Sequence, residues 1–235
     1  MHYLQDINIK PSMKMANLIS GNPSLLILME HFDLDFIVHD KTIEQLCREN
    51  TINEDLFISF CDLYNGKNTL NSENYTESDI ENIIRFLKNT HNFYKNEKYI
   101  EIKGFIEELY QENNLPEVQL IGKFFDEYMD EVLEHLAYED QTVFPYINHL
   151  LEDSSYAKVF SVKEYKDHHT DIESKLADLK SLLLKHIPLK ERRSLRKKLL
   201  FSLSEFEYDL AIHSLIEDNL LVPLVMNLES KYNLG

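Results

Sequence analysis

The sequence is poor in residues that interrupt helices and in residues that attract anionic partners. It has five Gly, six Pro and no Trp among 235 residues. Because Gly and Pro mark turns and strand boundaries, their scarcity argues against a fold of many short strands. Lys and Arg number 24 against 41 Asp and Glu, giving a formal net charge of −17. Nucleic acids and anionic membranes need a basic surface, so this balance argues against either as the main partner.

Cysteines and long apolar runs are also scarce. Cys47 and Cys61 are the only cysteines, too few for a disulfide framework, and we interpret both as packing residues. No apolar run approaches the roughly 18–20 residues of a membrane span. The N-terminal segment MHYLQDINIKPSMK lacks the basic and apolar parts of a signal peptide. These absences predict a cytoplasmic protein that is not inserted in a membrane and works in a reducing compartment.

Helical periodicity dominates the remaining pattern. Apolar residues at spacings of three and four predict a small helical N-terminal domain over residues 1–64. The polar stretch 65–77, NGKNTLNSENYTE, is interpreted as a linker. Four longer amphipathic helices are expected within residues 78–235. The predicted fold is all-α, an antiparallel four-helix bundle preceded by the small domain.

Some helix boundaries can be predicted from cap and proline signals. Thr42 with Gln45 has the spacing of a capping box, and Ser78 with Glu81 repeats that spacing at the start of the first long helix. Pro145 is expected to bring the second long helix towards its end.

The strongest signal in the sequence is a repeat. Both copies contain His-x-x-x-Glu-Asp followed by Pro at the same spacing, as HLAYEDQTVFP and HSLIEDNLLVP, and another His lies 44 residues before each motif. The copies are 78 positions apart: His91, His135, Glu139 and Pro145, then His169, His213, Glu217 and Pro223. Four imidazoles and two carboxylates at matched intervals indicate a metal site built twice over.

Helical spacing supports this interpretation. Residues four apart lie on one face of a helix, so His135 with Glu139, and His213 with Glu217, can each reach one centre. Six ligands shared between two metal ions leave coordination positions open, and each Glu can bridge the two ions. The His and carboxylate mixture allows iron, zinc or manganese. A lone His-x-x-x-Glu is usually only an exposed helix pair, so the duplication carries the metal hypothesis.

Three tyrosines lie close in sequence to the candidate ligands: Tyr94, Tyr138 and Tyr165. The simplest interpretation is core packing with the hydroxyl hydrogen-bonded. The alternative is a role beside the metal, in which a hydroxyl donates to a bridging carboxylate or controls access.

Residues from about 78 to 228 resemble the hemerythrin-like cation-binding family and, within it, the Repair of Iron Centres proteins. The features that match are the early His, the two His-x-x-x-Glu pairs, the His among acidic residues and the prolines. In the repair proteins the second pair reads His-x-x-x-Glu-Asn-Asn-x-Leu-Phe-Pro, which His213 to Pro223 resembles. Asp218 and Val222 depart from it, and both lie outside the ligands. The resemblance implies a non-haem di-iron centre with terminal histidines and bridging glutamates, iron being favoured over zinc or manganese. The metal ligands it implies are His91, His135, Glu139, His169, His213 and Glu217.

The N-terminal region is loosely similar to the small domain with which repair proteins often begin. PSLLILMEHFDLDF and the following KTIEQLC carry this similarity. The Cys-Cys-Gly-Gly element of that domain is missing, and Ile37, Val38, His39 and Asp40 stand in its place. Thiol chemistry therefore cannot be carried over, which leaves a docking or dimerisation role.

Three functional hypotheses follow. The first is a di-iron protein that repairs iron–sulfur clusters after oxidative or nitrosative stress, with iron–sulfur proteins or their scaffold as partners and O₂ or NO as small ligands. The second is a sensor or interaction module whose metal centre reports O₂, NO or iron without catalytic turnover. A homodimer is a possible partner arrangement. The third is a structural bundle that holds zinc or no metal. Whether the protein is an enzyme stays open.

Overall fold

The computed structural model describes residues 7–68, 70–113, 115–153, 162, 173–185 and 193–233. Within them regular structure is helical, which confirms the all-α prediction. The α-helices are α1 (Met15–Gly21), α2 (Leu25–His31), α3 (Ile43–Glu49), α4 (Glu54–Tyr64), α5 (Glu77–Phe93), α6 (Tyr99–Asn113), α7 (Pro116–Tyr138), α8 (Phe144–Glu152), α9 (Glu173–Lys185), α10 (Arg193–Ile216) and α11 (Val222–Asn233). None of the helices in these ranges has the length and apolarity needed to cross a membrane.

The chain forms two compact units. The described residues of Met1–Thr90, Ile147–Lys163 and Leu215–Gly235 belong to the first, and those of His91–Tyr146 and Glu164–Ser214 to the second.

Aromatic packing forms the core of the first unit. The Phe32 ring centroid lies 5.1 Å from Phe57, 5.5 Å from Phe60 and 4.9 Å from Phe86, and all four rings are buried. Phe60 and Phe86 meet edge to face at 4.8 Å, a favoured geometry for aromatic pairs. We call these four residues the phenylalanine cluster. It ties α2, α4 and α5 together.

Side-chain caps set helix starts in the first unit. Thr42 and Gln45 form the predicted capping box at α3. The predicted box at Ser78 is wrong, because α5 begins one residue earlier and Ser78 lies inside it. Asp79 instead accepts a hydrogen bond from the Thr76 backbone N–H at 2.9 Å. It also accepts one from the Asn53 amide at 2.7 Å, which joins the starts of α4 and α5.

Helix packing in the second unit follows the predicted periodicity. Helix α7 is in contact with α6 and with α9. Its buried positions recur at intervals of three and four: Phe125, Tyr128, Met129, Val132 and Leu136.

A buried lysine is held by carboxylates in the same unit. Lys98 is buried and its ammonium is paired with Glu101 at 2.9 Å and with Glu205. Ser202 donates to Glu101 at 2.7 Å, and the Phe93 ring lies 5.3 Å from the ammonium. Two carboxylates and an aromatic ring thus stabilise the buried cation.

Three π-helical turns interrupt the α-helices of the described chain. They are π1 (Tyr94–Lys98), π2 (Glu139–Val143) and π3 (Glu217–Leu221). The prediction that Pro145 leads to the end of its helix is wrong. Its missing N–H and its ring disturb an α-helix, but the wider π2 turn precedes it and the chain continues helically to Glu152. Since π turns occur often at functional sites, their positions at Glu139 and Glu217 point to these carboxylates.

Candidate metal centre

Glu139 lies at the centre of a buried polar cluster. It is the first residue of π2 and its side chain is fully buried. His135, one turn earlier on α7, places Nε2 at 2.8 Å from Glu139 Oε1. The helical spacing in the sequence predicted this pair.

Two more histidines face the other oxygen of the same carboxylate. His91 Nε2 lies 3.1 Å from Glu139 Oε2, and His213 Nε2 lies 3.9 Å from it. Both imidazoles are almost completely buried. Ligand atoms of His91, Glu139 and His213 lie within 4.8 Å of one another, close enough to hold one cation. Three nitrogens therefore converge on a carboxylate whose two oxygens face different histidines.

The cluster is electrostatically coupled. Burial alone would raise the pKa of the Glu139 carboxyl, but His135, His213 and His91 hold that pKa well below its ordinary value of 4.5. Burial alone would lower the pKa of His91, but hydrogen bonds to Asp140 and Glu139 raise it above 6.5. Iron and zinc bind an ionised carboxylate and a neutral imidazole, so a bound ion would displace any proton from His91. The residue types, and the convergence of His91, Glu139 and His213 on one point, fit a transition-metal ion.

Residues around the cluster fix the imidazole rings. His91 Nδ1 lies 3.0 Å from Asp140 Oδ1, and its ring stacks on Phe144 with centroids 5.5 Å apart. Tyr94 is buried, and its ring meets the His213 ring edge-on at 5.9 Å. Phe206 packs on Tyr94 at 5.2 Å. Tyr94 thus has the packing contacts of the simpler interpretation and also lies beside a candidate ligand.

The structure describes some of the other predicted site residues. Glu217 begins π3, one turn after His213 on a continuous helical path, and is fully buried. It thereby shares the local structure of Glu139. His169 and Tyr165 lie outside the described residues, and Tyr138 is half-buried.

Asp140 and Phe144 were missed as partners of His91 by reasoning from the sequence. The repeat contained a signal for Asp140, because an Asp follows the Glu in both copies. Phe144 carried no signal in the repeat, since the second copy has Val222 at the equivalent position. It matched the family motif only as the aromatic residue before Pro145, with no link to His91.

A comparison with protein-family models gives one match. The model of the Hemerythrin HHE cation binding domain covers residues 100–225, which is more than half of the chain. The match includes His135, Glu139, His213 and Glu217, and it begins after His91. A search of curated proteins finds no match. The family match agrees with the helical bundle and with the His and Glu cluster found independently in the structure, and the chain belongs to the hemerythrin HHE cation-binding family.

Proposed function

We propose that this protein holds two iron ions and acts in the repair of iron–sulfur clusters damaged by oxidative or nitrosative stress. The observation that carries the di-iron part is the Glu139 carboxylate. Its Oε1 faces His135, and its Oε2 faces His91 and His213. A carboxylate with different imidazoles at its two oxygens is suited to bridging two ions.

The repeat extends the ligand set. His91, His135 and His213 would be terminal ligands, and His169 would be the fourth by its position in the second copy. Glu217, buried at the same point of its own π turn as Glu139, would be the second bridge. This assignment gives each ion histidine and carboxylate donors with positions left open. Iron in such a centre supplies ferrous–ferric redox chemistry and affinity for NO or O₂.

The chain's own residues would bind and orient the metal and limit water. Glu139 and Glu217 are fully buried and His91 and His213 nearly so, so the donors lie in a dry environment that strengthens their charge interactions. Tyr94 covers one side of His213, and Phe206 packs on Tyr94. The repair role rests on the sequence resemblance to the Repair of Iron Centres proteins, and iron–sulfur proteins or their scaffold would be the partners.

Metal content is the first test of the di-iron proposal. Anaerobically purified protein should contain close to two iron atoms per chain by elemental analysis. Alanine substitution of His135 or Glu217 should lower that number, whereas Glu134→Gln, an exposed carboxylate next to His135, should not. Stoichiometric zinc, or negligible metal after iron loading, would contradict the proposal.

The repair role needs a separate measurement. An iron–sulfur protein inactivated by NO should regain its cluster absorbance and activity faster with the iron-loaded protein than with Glu139→Gln protein. Equal recovery with both proteins would remove the repair role and leave the metal centre intact.

A second candidate function is supported by residues 36–40, near the end of α2. Phe36 and Ile37 are 54% and 66% exposed; Ile37 stands in the place of the missing Cys-Cys-Gly-Gly element, and Phe36 lies just before it. His39 has a φ of 47°, in the left-handed region that glycine adopts most readily. Exposed Ile37 in place of a thiol, together with exposed Phe36 beside it, favours a docking surface for a sensor or a homodimer. Self-association of the ferrous, ferric and NO-treated protein would test it, and identical behaviour in all three states would count against sensing.

A further inference from the structure

We propose that Asp140 is a positioning residue that orients His91 and sets which of its ring nitrogens is offered to the metal. The inference rests on the proposed metal centre, and goes beyond it by assigning a role to a side chain outside the ligand set. It rests on the contact between His91 Nδ1 and Asp140 Oδ1 at 3.0 Å.

Both nitrogens of His91 face carboxylates from consecutive residues. Nε2 lies 3.1 Å from Glu139 and Nδ1 lies 3.0 Å from Asp140. Phe144 stacks on the ring at an interplanar angle of 22°. The ring is thus held at both polar edges and on one face.

The chemistry distinguishes the two edges. An imidazole can bind a metal only through a nitrogen that carries no proton. When Nδ1–H donates to a carboxylate, the tautomer is fixed and the Nε2 lone pair is left for the metal, with its basicity raised. Nε2 is the nitrogen of His91 that faces Glu139 and the His213 side of the cluster. Asp140 therefore selects the productive tautomer.

Glu139 and Asp140 differ in burial, which indicates different roles. The Glu139 side chain is fully buried, whereas that of Asp140 is 35% exposed. Glu139 faces the imidazoles of the cluster, and Asp140 reaches the outer edge of His91. The contact joins His91, which precedes the matched family segment, to a residue inside that segment.

A purely structural ion pair is the competing explanation. It would stabilise the folded chain without influencing metal binding. The two roles differ in one respect: a positioning residue changes the metal affinity and the protonation of His91 Nδ1, and a structural pair changes only the free energy of unfolding.

The experiment compares the wild-type chain with Asp140→Ala, Asp140→Asn and the control Glu134→Gln, which removes a nearby exposed charge. Iron(II) affinity is measured anaerobically by competition with a chelator. Losing the orienting group should weaken binding by about 10–100-fold in Asp140→Ala. Asp140→Asn retains an oxygen that accepts the Nδ1–H bond, so its iron(II) affinity should lie between those of the wild type and Asp140→Ala. Glu134→Gln should match the wild type.

A second readout reports the tautomer itself. In the zinc-loaded protein with ¹⁵N-labelled histidine, His91 should give an Nδ1–H proton signal that is slow to exchange, assigned by its loss in His91→Gln. Asp140→Ala should broaden or abolish it. Wild-type affinity together with an unchanged signal in Asp140→Ala would overturn the positioning role. If the wild-type chain bound neither iron nor zinc, the proposed metal centre would fail, and the positioning role with it.

Discussion

The phenylalanine cluster of the first unit and the His and Glu cluster of the second are both buried, but they are stabilised by opposite means. Phe32, Phe57, Phe60 and Phe86 bury apolar surface, which favours folding directly. Glu139 and its histidines bury polar groups, which disfavours folding unless each group finds a partner. The comparison distinguishes residues that stabilise the fold from residues that the fold holds in place to bind a ligand. Substitutions in the two clusters should therefore give opposite patterns of stability and metal content.

The largest expected effect is on metal content. Glu139→Gln removes the carboxylate that faces three imidazoles, so iron content should fall to background. The metal-free unfolding free energy should change by only about 1 kcal/mol, because the buried imidazoles can lose their protons instead of remaining charged without a partner. Elemental analysis and urea unfolding of metal-free protein would measure both. Iron content equal to that of the wild type would place the metal elsewhere.

The opposite pattern is expected in the phenylalanine cluster. Phe60→Ala should lower the free energy of unfolding by about 3–5 kcal/mol, since it leaves a cavity among packed rings. The iron content per folded chain should stay at the wild-type value. Phe36→Ala is the matched control, because Phe36 is exposed, and it should shift stability by no more than about 0.5 kcal/mol. A large loss of iron in folded Phe60→Ala protein would break the separation between the clusters.

The sequence predicted the features of the fold and of the site unequally. The His and Glu residues were predictable because duplication placed the same residue types at the same spacing, which chance rarely produces. Apolar periodicity likewise predicted the buried face of α7. The π turns were not predictable, because Pro145 is a signal for ending a helix and nothing local indicates a wider turn. The contact between His91 and Asp140 joins residues 49 positions apart, and only the folded chain brings them together.

Lys98 adds a third case to the comparison, because it is a buried charge whose partners, Glu101 and Glu205, are protein side chains and not a ligand. Lys98→Met should lower the free energy of unfolding by about 2 kcal/mol at neutral pH, through the lost charged hydrogen bonds. Lys123→Met is the control, since Lys123 is exposed and its pair with Glu127 spans 3.6 Å. It should change stability by no more than about 0.5 kcal/mol.

The effect of Lys98→Met should depend on pH in a defined way. Burial alone would lower the pKa of Lys98, but Glu205 and Glu101 raise it above 10.5. Its contribution is therefore fully present below pH 10.5 and is lost as the pH rises through the raised value. Burial alone would raise the pKa of Glu101, but Lys98 and Ser202 lower it below 4.5. The difference in the free energy of unfolding between wild type and Lys98→Met should be constant from pH 4.5 to 10.5 and should shrink outside that range. Urea unfolding at several pH values would measure it.

The smallest expected effect concerns the cysteines of the first unit. Burial, with a smaller contribution from Glu54, raises the pKa of the Cys47 thiol to about 12, and burial raises that of Cys61 well above 9.0. Because thiolate is the reactive form, neither thiol should react with a disulfide reagent at pH 8 in the folded protein. Both should react after unfolding. Rapid reaction of folded protein would contradict the packing role.

The π turns suggest how the sequence of this protein can vary. Between the Glu and the Pro of each repeat, only the first of the five intervening residues is the same in both copies, yet the spacing is identical. Removing one residue, such as Gln141, would convert a π turn to an α turn and rotate everything after it by about 100° relative to the Glu. It would also press the ring of Pro145 against an ordinary α-helical turn. Apart from Asp140 and Phe144, which contact His91, the residues of these segments should therefore accept many substitutions, whereas no insertion or deletion should be accepted.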